Sequence, residues 1–211
     1  MITSIYYDQN KLLKALLELY NLERFDLDPC YSKGNFYKEI PRPKFCSDID
    51  PKFSFIDKAD ASKLKFPFDS LKSIMFDPPF LATKGPSLKK KNGSNLILQR
   101  FSVFPTEKEL FQFYFECLSR FYLFLKPKGY LFVKCQDKVS SGKQYFSHIY
   151  LHNMAIEMGF YPKDLFILVN KSKMIGHWGG AVQQHARKYH SYFFVFQKTK
   201  PKVNLVNLLE V

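Results

Sequence analysis

Four short runs typical of β-strands lie in the first 80 residues, and an aspartate directly follows each of them. The runs are residues 24–27, 44–47, 54–56 and 73–76, and the aspartates are Asp28, Asp48, Asp57 and Asp77. Amphipathic helices are predicted at residues 11–20, 107–125 and 148–159, with further apolar strands at 130–133, 164–169 and 192–196. Strands that alternate with helices indicate an open, mostly parallel α/β sheet, which binds ligands beyond the carboxyl ends of its strands. The sequence therefore predicts an α/β fold with aspartates along one edge of the sheet.

The length of 211 residues suits one domain, which we expect to span residues 1–211. Hydrophobic residues make up 46% of the chain, enough for a core of its own and too much for a disordered chain. Residues 81–106 and 170–190 lack periodicity, so both are predicted to be loops. Connections this long are uncommon in compact domains unless they bind something or are disordered.

The charge of the chain favours a polyanionic partner. Lysine and arginine number 32 against 19 aspartates and glutamates, which gives a net charge of +13. Nucleic acid is therefore the first partner to test, and a charge that serves only solubility is the alternative.

Nothing in the sequence indicates a membrane or secreted protein. No apolar stretch approaches the roughly 18 residues of a membrane helix, and the first residues do not form a signal peptide. The four cysteines contain no CxxC pair, so reduced thiols are expected and a zinc site is not. We expect a soluble, cytoplasmic protein with no metal; His148 and His152 have a usable spacing but lack a third ligand.

The loop Asp77-Pro78-Pro79-Phe80 is the most specific motif. Its two prolines fix φ and remove two backbone donors, so the loop is stiff and its carbonyls can accept hydrogen bonds. The amino group of a nucleic-acid base has two protons, of which Asp77 can accept one and the Pro78 carbonyl the other. Its lone pair is then directed at an electrophile, and Phe80 would stack on the base. An ordinary rigid turn with a capping aspartate is the alternative.

This loop resembles that of the amino-methyltransferases that modify exocyclic amines of nucleic-acid bases, which reads Asp/Asn/Ser-Pro-Pro-Tyr/Phe/Trp. Residues 28–35 resemble their cofactor loop, commonly Asp-Pro-Phe-x-Gly-Ser-Gly-Thr, except that Ser32 replaces the usual glycine. Residues 125–131 and 190–196 are similar to the helix stop before the fifth strand and to the last hairpin strand. The match, over about residues 10–198, is with small phage or prophage DNA adenine methyltransferases.

The resemblance implies a Rossmann-like class I methyltransferase fold, with a seven-stranded, mostly parallel sheet, helices on both faces and a C-terminal antiparallel hairpin. It also implies S-adenosylmethionine as cofactor and Asp77, Pro78, Pro79 and Phe80 as catalytic residues. The candidate cofactor residues are Asp28, Cys30, Tyr31, Ser32, Gly34, Asp48, Asp50 and Asp60. Asp48 is the candidate for the ribose hydroxyls, with Asp50 as its competitor, and Asp60 resembles the acid that contacts the cofactor's adenine. Each of these aspartates has a cap or a turn as its alternative role.

The predicted substrate contacts lie mostly in loops. We expect no separate target-recognition domain, so DNA would be read by residues 81–106, 136–150 and 170–190. The candidates are Lys89, Lys90, Lys91 and Arg100 for phosphates, Trp178 and Arg187 for insertion or stacking, and Tyr189 and His190 beside the target base. We expect a monomer or dimer, with a second subunit as another route to target recognition.

Two alternatives stay open at this point. In the first, the methyl group goes to an RNA adenine, a cytosine amino group or a protein amine instead of DNA adenine. Alternatively, the chain is a catalytically weak nucleic-acid-binding or partner subunit, because Ser32 alters the cofactor loop.

Overall fold

The computed structural model describes residues 1–82, 103–140, 142–170 and 183–200. The strands are β1 (Ile5–Tyr6), β2 (Leu27–Asp28), β3 (Phe45–Asp48), β4 (Asp57–Lys58), β5 (Leu71–Phe76), β6 (Leu81–Ala82), β7 (Val103–Phe104), β8 (Leu125–Cys135), β9 (Lys138–Ser140), β10 (Lys143–Tyr145), β11 (Phe160–Val169) and β12 (His190–Lys198). The helices are α1 (Gln9–Leu19), α2 (Glu107–Phe124) and α3 (Ser147–Met158), with a 3-10 turn at Ala61–Lys63.

The main sheet has the strand order β1-β11-β12-β8-β5-β2-β3-β4. Strands β4, β3, β2, β5 and β8 are parallel, and β12 lies antiparallel between β8 and β11. The predicted fold class, a mostly parallel α/β sheet with a C-terminal antiparallel hairpin, is confirmed. The sheet gains an eighth strand, β1, which pairs with β11 and is too short to leave a sequence pattern.

Helices cover both faces of this sheet. The Asp8 side chain caps α1, whose leucines pack on the face that carries Phe132 and Phe193. Helices α2 and α3 pack on the other face, against Phe76 and Val133. Because side chains alternate along a strand, β8 supplies residues to both cores. No helix in the four described ranges is long and apolar enough to span a membrane.

Several predicted boundaries were wrong. The first strand is Leu27–Asp28 and not residues 24–27. The third strand is Asp57–Lys58 and not residues 54–56, because the rings of Phe53 and Phe55 stack on each other at the surface. Residues 126–129 do not form a separate stop after α2 but begin β8, whose register against β5 shifts there. Lys128 takes φ +65° in this bulge.

The described parts of the predicted loops contain regular secondary structure. Residues 136–150 contain the hairpin β9–β10 and the first turn of α3. The described ends of residues 81–106 form β6 and β7, which pair in parallel. Residues 83–102 and 171–182 lie outside the described residues.

Candidate active site

Three of the predicted aspartates lie at one edge of the sheet. Asp28 ends β2, Asp48 ends β3 and Asp77 directly follows β5. Strand β2 pairs in parallel with β3 on one side and with β5 on the other, so the carboxyl ends of all three strands meet. This is also the switch point of the sheet. Strands β3 and β4 follow on one side of β2, whereas β5 and β8 lie on its other side.

Asp28 is the most buried of these acids, with 2% of its surface exposed. Its carboxylate accepts hydrogen bonds from the Cys30 amide at 2.8 Å and from the Tyr37 hydroxyl at 2.5 Å. Burial nevertheless raises the pKa of Asp28 to about 7, with smaller upward contributions from the charges of Asp77 and Asp48. A cation brought to this edge would favour the ionised form of Asp28.

Asp48 holds the loop that follows β2. Its Oδ2 accepts the Ser32 amide at 2.7 Å, and its Oδ1 accepts the Asp50 amide at 2.9 Å. Each carboxylate oxygen has a second lone pair, so Asp48 can still accept hydrogen bonds from hydroxyl groups. Ser32 adopts φ +52°, a left-handed conformation that glycine takes without cost. The replacement of glycine by Ser32 therefore falls at a position with a glycine-like backbone.

Gly34 lies against an aromatic ring of its own chain. It has φ +67°, and a Cβ there would lie 2.7 Å from the Tyr31 hydroxyl oxygen. Tyr31 stacks on Tyr37 with ring centroids 5.1 Å apart and meets Phe55 edge to face at 5.7 Å. The absence of a side chain at Gly34 therefore makes room for the Tyr31 ring.

Asp50 and Asp60 differ in their surroundings. The Asp50 carboxylate is exposed and forms an ion pair with Lys52. Asp60 follows β4 and caps the 3-10 turn, accepting from the amide and hydroxyl of Ser62 at 2.9 and 2.8 Å. The capping alternative thus describes Asp60 well.

The Asp77-Pro78-Pro79-Phe80 loop is anchored from α2 and β9. The hydroxyl of Tyr114 donates to the Pro79 carbonyl at 2.7 Å, and Lys138 donates to the Phe80 carbonyl. Lys138 is itself buried and pairs with Glu107 at 2.9 Å, and burial lowers its pKa. Within the described residues no donor reaches the Pro78 carbonyl. The carbonyls of the next two residues are held by hydrogen bonds, while that of Pro78 stays available to a ligand.

Lys134 is the charged partner of Asp77, with 3.3 Å between its Nζ and Asp77 Oδ2. The Asp77 side chain is 33% exposed, so a ligand can reach it. Sequence reasoning missed both Lys134 and Tyr114. A lysine inside the apolar strand Tyr130–Cys135 was the available signal for the first.

Replacing Tyr114 with phenylalanine tests the predicted catalytic role of the Asp77 loop, and we expect slower turnover with unchanged cofactor affinity. The change removes the hydrogen bond to the Pro79 carbonyl and keeps the buried ring. The matched control is Tyr122→Phe, which removes a similar hydrogen bond to Thr199 at the far edge of the sheet. Each variant should lose about 1 kcal/mol of unfolding free energy. Steady-state kinetics and thermal unfolding check this, and equal turnover by the two variants would contradict it.

The predicted base-facing residues flank the same edge. His190 begins β12; its Nε2 lies 2.9 Å from the Tyr192 hydroxyl, and its carbonyl accepts from Gln136 at 2.7 Å. Tyr189 and Arg187 are exposed just before β12. The other predicted substrate residues, Lys89, Lys90, Lys91, Arg100 and Trp178, lie outside the described residues.

His148 belongs to a polar cluster that the sequence did not reveal. Its Nδ1 lies 2.7 Å from the buried Asp137 carboxylate, and its ring stacks on Tyr192 at 4.3 Å. His152 points elsewhere, with its Nδ1 3.1 Å from the Asn153 side chain. Where the chain is described, no cluster of three or more metal-ligating side chains occurs.

Comparisons with known proteins identify the fold. No family model and no curated protein matches this chain. The 1,6-didemethyltoxoflavin-N1-methyltransferase of Burkholderia thailandensis matches with a TM-score of 0.51 and 12% identity, over 92% of this chain and 80% of the other. The N-methyltransferase NodS of Bradyrhizobium japonicum WM9 matches with a TM-score of 0.50 and 12% identity, over 91% of this chain and 86% of the other.

A shorter match is a Thermus thermophilus protein named as a candidate DNA modification methylase, with a TM-score of 0.45 and 14% identity. It covers 69% of this chain, which spans only 54% of that protein. From the two longer matches and the strand order, the chain has the Rossmann-like fold of S-adenosylmethionine-dependent methyltransferases.

Proposed function

We propose that this chain is an S-adenosylmethionine-dependent methyltransferase that methylates the exocyclic amino group of a nucleic-acid base, with adenine in DNA as the first candidate. The observation that carries the proposal is the position of Asp77. Its stiff proline loop stands at the switch point, beside the carboxylates of Asp28 and Asp48. One site thus offers acceptors for a cofactor and for an amine.

The residues at this edge suit the cofactor. Asp48 keeps lone pairs for the ribose hydroxyls, and Asp60 lies beyond β4 for the adenine amino group. Residues 30–34 lie beside Asp48, which accepts the Ser32 amide, and the buried Asp28 supplies negative charge for a cation. S-adenosylmethionine, when bound, supplies an electrophilic methyl group on a positively charged sulfur.

The chain's own contribution is alignment of the amine. The Asp77 carboxylate accepts one amino proton and the Pro78 carbonyl accepts the other, which draws the nitrogen lone pair out of conjugation with the ring. Asp77 also stabilises the positive charge that develops on the nitrogen. The methylated nitrogen is strongly acidic and gives its extra proton to water, so no strong base is required. Tyr114 and Lys138 keep the loop still during the reaction, because they hold its neighbouring carbonyls.

The acceptor class follows from shape and charge. A flat conjugated amine fits between a carboxylate, a proline carbonyl and Phe80 better than a lysine, which must first lose a proton. In duplex DNA the base must be turned out of the stack at a cost of a few kcal/mol, which phosphate contacts offset. The net charge of +13 suits such contacts. Asp at position 77 favours adenine over cytosine through the family resemblance alone.

The direct test is transfer of a deuterated methyl group from S-adenosylmethionine to separate pools of duplex DNA, single-stranded DNA, RNA and protein. Mass spectrometry of the digested nucleosides and peptides then identifies the product. We expect N6-methyladenine from DNA. Label in an RNA adenine or in a cytosine amino group would change the proposed acceptor but not the proposed reaction. Label in protein only, or in no pool, would contradict the proposal.

Asp48→Ala is expected to weaken S-adenosylmethionine binding by about tenfold or more, because it removes the proposed ribose contact and releases the Ser32 loop. Asp50→Ala is the matched control, since its exposed side chain pairs only with Lys52 among the described residues. Isothermal titration calorimetry checks both variants. Wild-type affinity in Asp48→Ala together with weak binding in Asp50→Ala would transfer the ribose role to Asp50.

A further inference from the structure

We propose that Lys134 binds the ring nitrogen next to the acceptor's amino group, so that Asp77 and Lys134 together recognise one edge of the base. This inference rests on the proposed function. Asp77 follows β5 and Lys134 lies near the end of the adjacent parallel strand β8. Their carboxylate and ammonium groups meet at 3.3 Å between Asp77 Oδ2 and Lys134 Nζ.

The lysine is held in place by aromatic rings. Its Nζ lies 4.8 Å from the centre of the Phe36 ring and 5.8 Å from that of Phe193. Such cation–π contacts favour a charged ammonium over a ring face. The Lys134 side chain is 22% exposed, so it has limited freedom but is not sealed from a ligand.

The ammonium has donors to spare. A lysine carries three N–H groups, and among the described residues only Asp77 accepts a hydrogen bond from Lys134. The charge is also well matched to this edge, because Asp28, Asp48 and Asp77 are three acids close together. A cation at this point balances them and can still donate outward.

The pair matches a specific chemical pattern. In adenine the amino group and a ring nitrogen are bonded to the same carbon, so a donor and an acceptor stand side by side; cytosine has the same arrangement. A carboxylate beside an ammonium offers the complementary acceptor and donor. A lysine or another aliphatic amine has no neighbouring acceptor, so it would satisfy only Asp77.

The contact should act on binding rather than on the chemical step. A donor on the ring nitrogen withdraws electrons from the amino group, which does not help its attack on the methyl group. It fixes the orientation of the base and covers the ring nitrogen, which is the stronger nucleophile in the free base. Loss of Lys134 is therefore expected to raise KM for the acceptor more than it lowers kcat.

The test compares oligonucleotides in which the target adenine is replaced by 1-deazaadenine, which lacks that ring nitrogen, or by 7-deazaadenine, which keeps it. We expect wild-type kcat/KM to fall about 10- to 100-fold with 1-deazaadenine, mainly through KM, and to change little with 7-deazaadenine. Lys134→Met should lose a similar factor with adenine and show little further loss with 1-deazaadenine, because the contact is already absent.

Lys198→Met is the matched control. Lys198 also pairs with an aspartate, Asp69, at 2.7 Å and lies 4.8 Å from the centre of an aromatic ring, that of Tyr122, but at the opposite edge of the sheet. It should keep the full discrimination against 1-deazaadenine. Thermal unfolding and S-adenosylmethionine titration show that both variants are folded and bind cofactor.

Full discrimination against 1-deazaadenine retained by Lys134→Met would overturn the inference alone. If that variant also lost cofactor affinity, Lys134 would be a cofactor contact instead. Absence of any methyl transfer by the wild-type protein would instead overturn the proposed function, and this inference with it. If the methylated base is cytosine, 3-deazacytosine is the corresponding probe.

Discussion

Asp77→Ala will lower the rate of methyl transfer by about 100- to 1,000-fold while S-adenosylmethionine affinity stays close to the wild-type value. In the proposed mechanism, the carboxylate accepts a hydrogen bond from the amino group and stabilises the charge that develops on nitrogen. It is partly exposed beside β2 but makes no hydrogen bond to residues 28–34 within the described chain, so its loss should leave the predicted cofactor loop intact. Single-turnover kinetics and calorimetry measure the two quantities separately.

Asp77→Asn and Asp69→Ala sharpen this experiment. Asp77→Asn keeps one acceptor oxygen and the size of the side chain, so its rate should fall between those of the wild type and Asp77→Ala. Asp69→Ala removes another carboxylate that pairs with a lysine, Lys198, and should leave transfer unchanged. Normal turnover by Asp77→Ala would refute the assignment of this loop.

Gly34→Ala is expected to weaken cofactor binding and to destabilise the fold. The backbone at φ +67° disfavours any side chain, and the new Cβ would lie 2.7 Å from the Tyr31 hydroxyl oxygen. Tyr31 stacks on Tyr37, whose hydroxyl binds Asp28 at 2.5 Å, so a displaced Tyr31 ring disturbs the buried acid as well. The loss of affinity should be about tenfold at the least.

Gly142→Ala separates the two causes. Gly142 has φ +75°, but nothing lies within 4 Å of its added Cβ. This variant should lose about 1 to 2 kcal/mol of stability from backbone strain and keep its cofactor affinity. Calorimetry and thermal unfolding compare the pair; equal affinities in Gly34→Ala and Gly142→Ala would show that the Tyr31 contact is not needed.

The parts of the fold that the sequence predicted are those with local signals. The apolar periodicity of α1, α2 and α3 reflects one buried face each. Three of the four aspartates, Asp28, Asp48 and Asp77, mark where strands end, whereas Asp57 begins β4. Parallel pairing then places Asp28, Asp48 and Asp77 at one edge without further information. Strand β1 has only two residues and β4 follows an exposed aromatic pair, so neither shows a clear hydrophobic periodicity in the sequence.

The rest of the candidate site depends on contacts between distant residues. Tyr114 reaches Pro79 across 35 positions, and Lys134 reaches Asp77 across 57. Such pairs follow from the register of β5 against β8 and from the packing of α2, which no local pattern encodes. Gly34 and Tyr31 are only three positions apart in the chain, but their close contact depends on a left-handed backbone conformation that the sequence does not specify.

The most direct measurement is a crystal structure of the protein with S-adenosylhomocysteine, the product form of the proposed cofactor. The account predicts ribose hydroxyls at hydrogen-bond distance, about 2.6–3.2 Å, from the Asp48 carboxylate, with the sulfur facing the Asp77 loop. A ligand bound away from the carboxyl ends of β2 and β3, or an Asp77 carboxylate turned away from the sulfur, would contradict it.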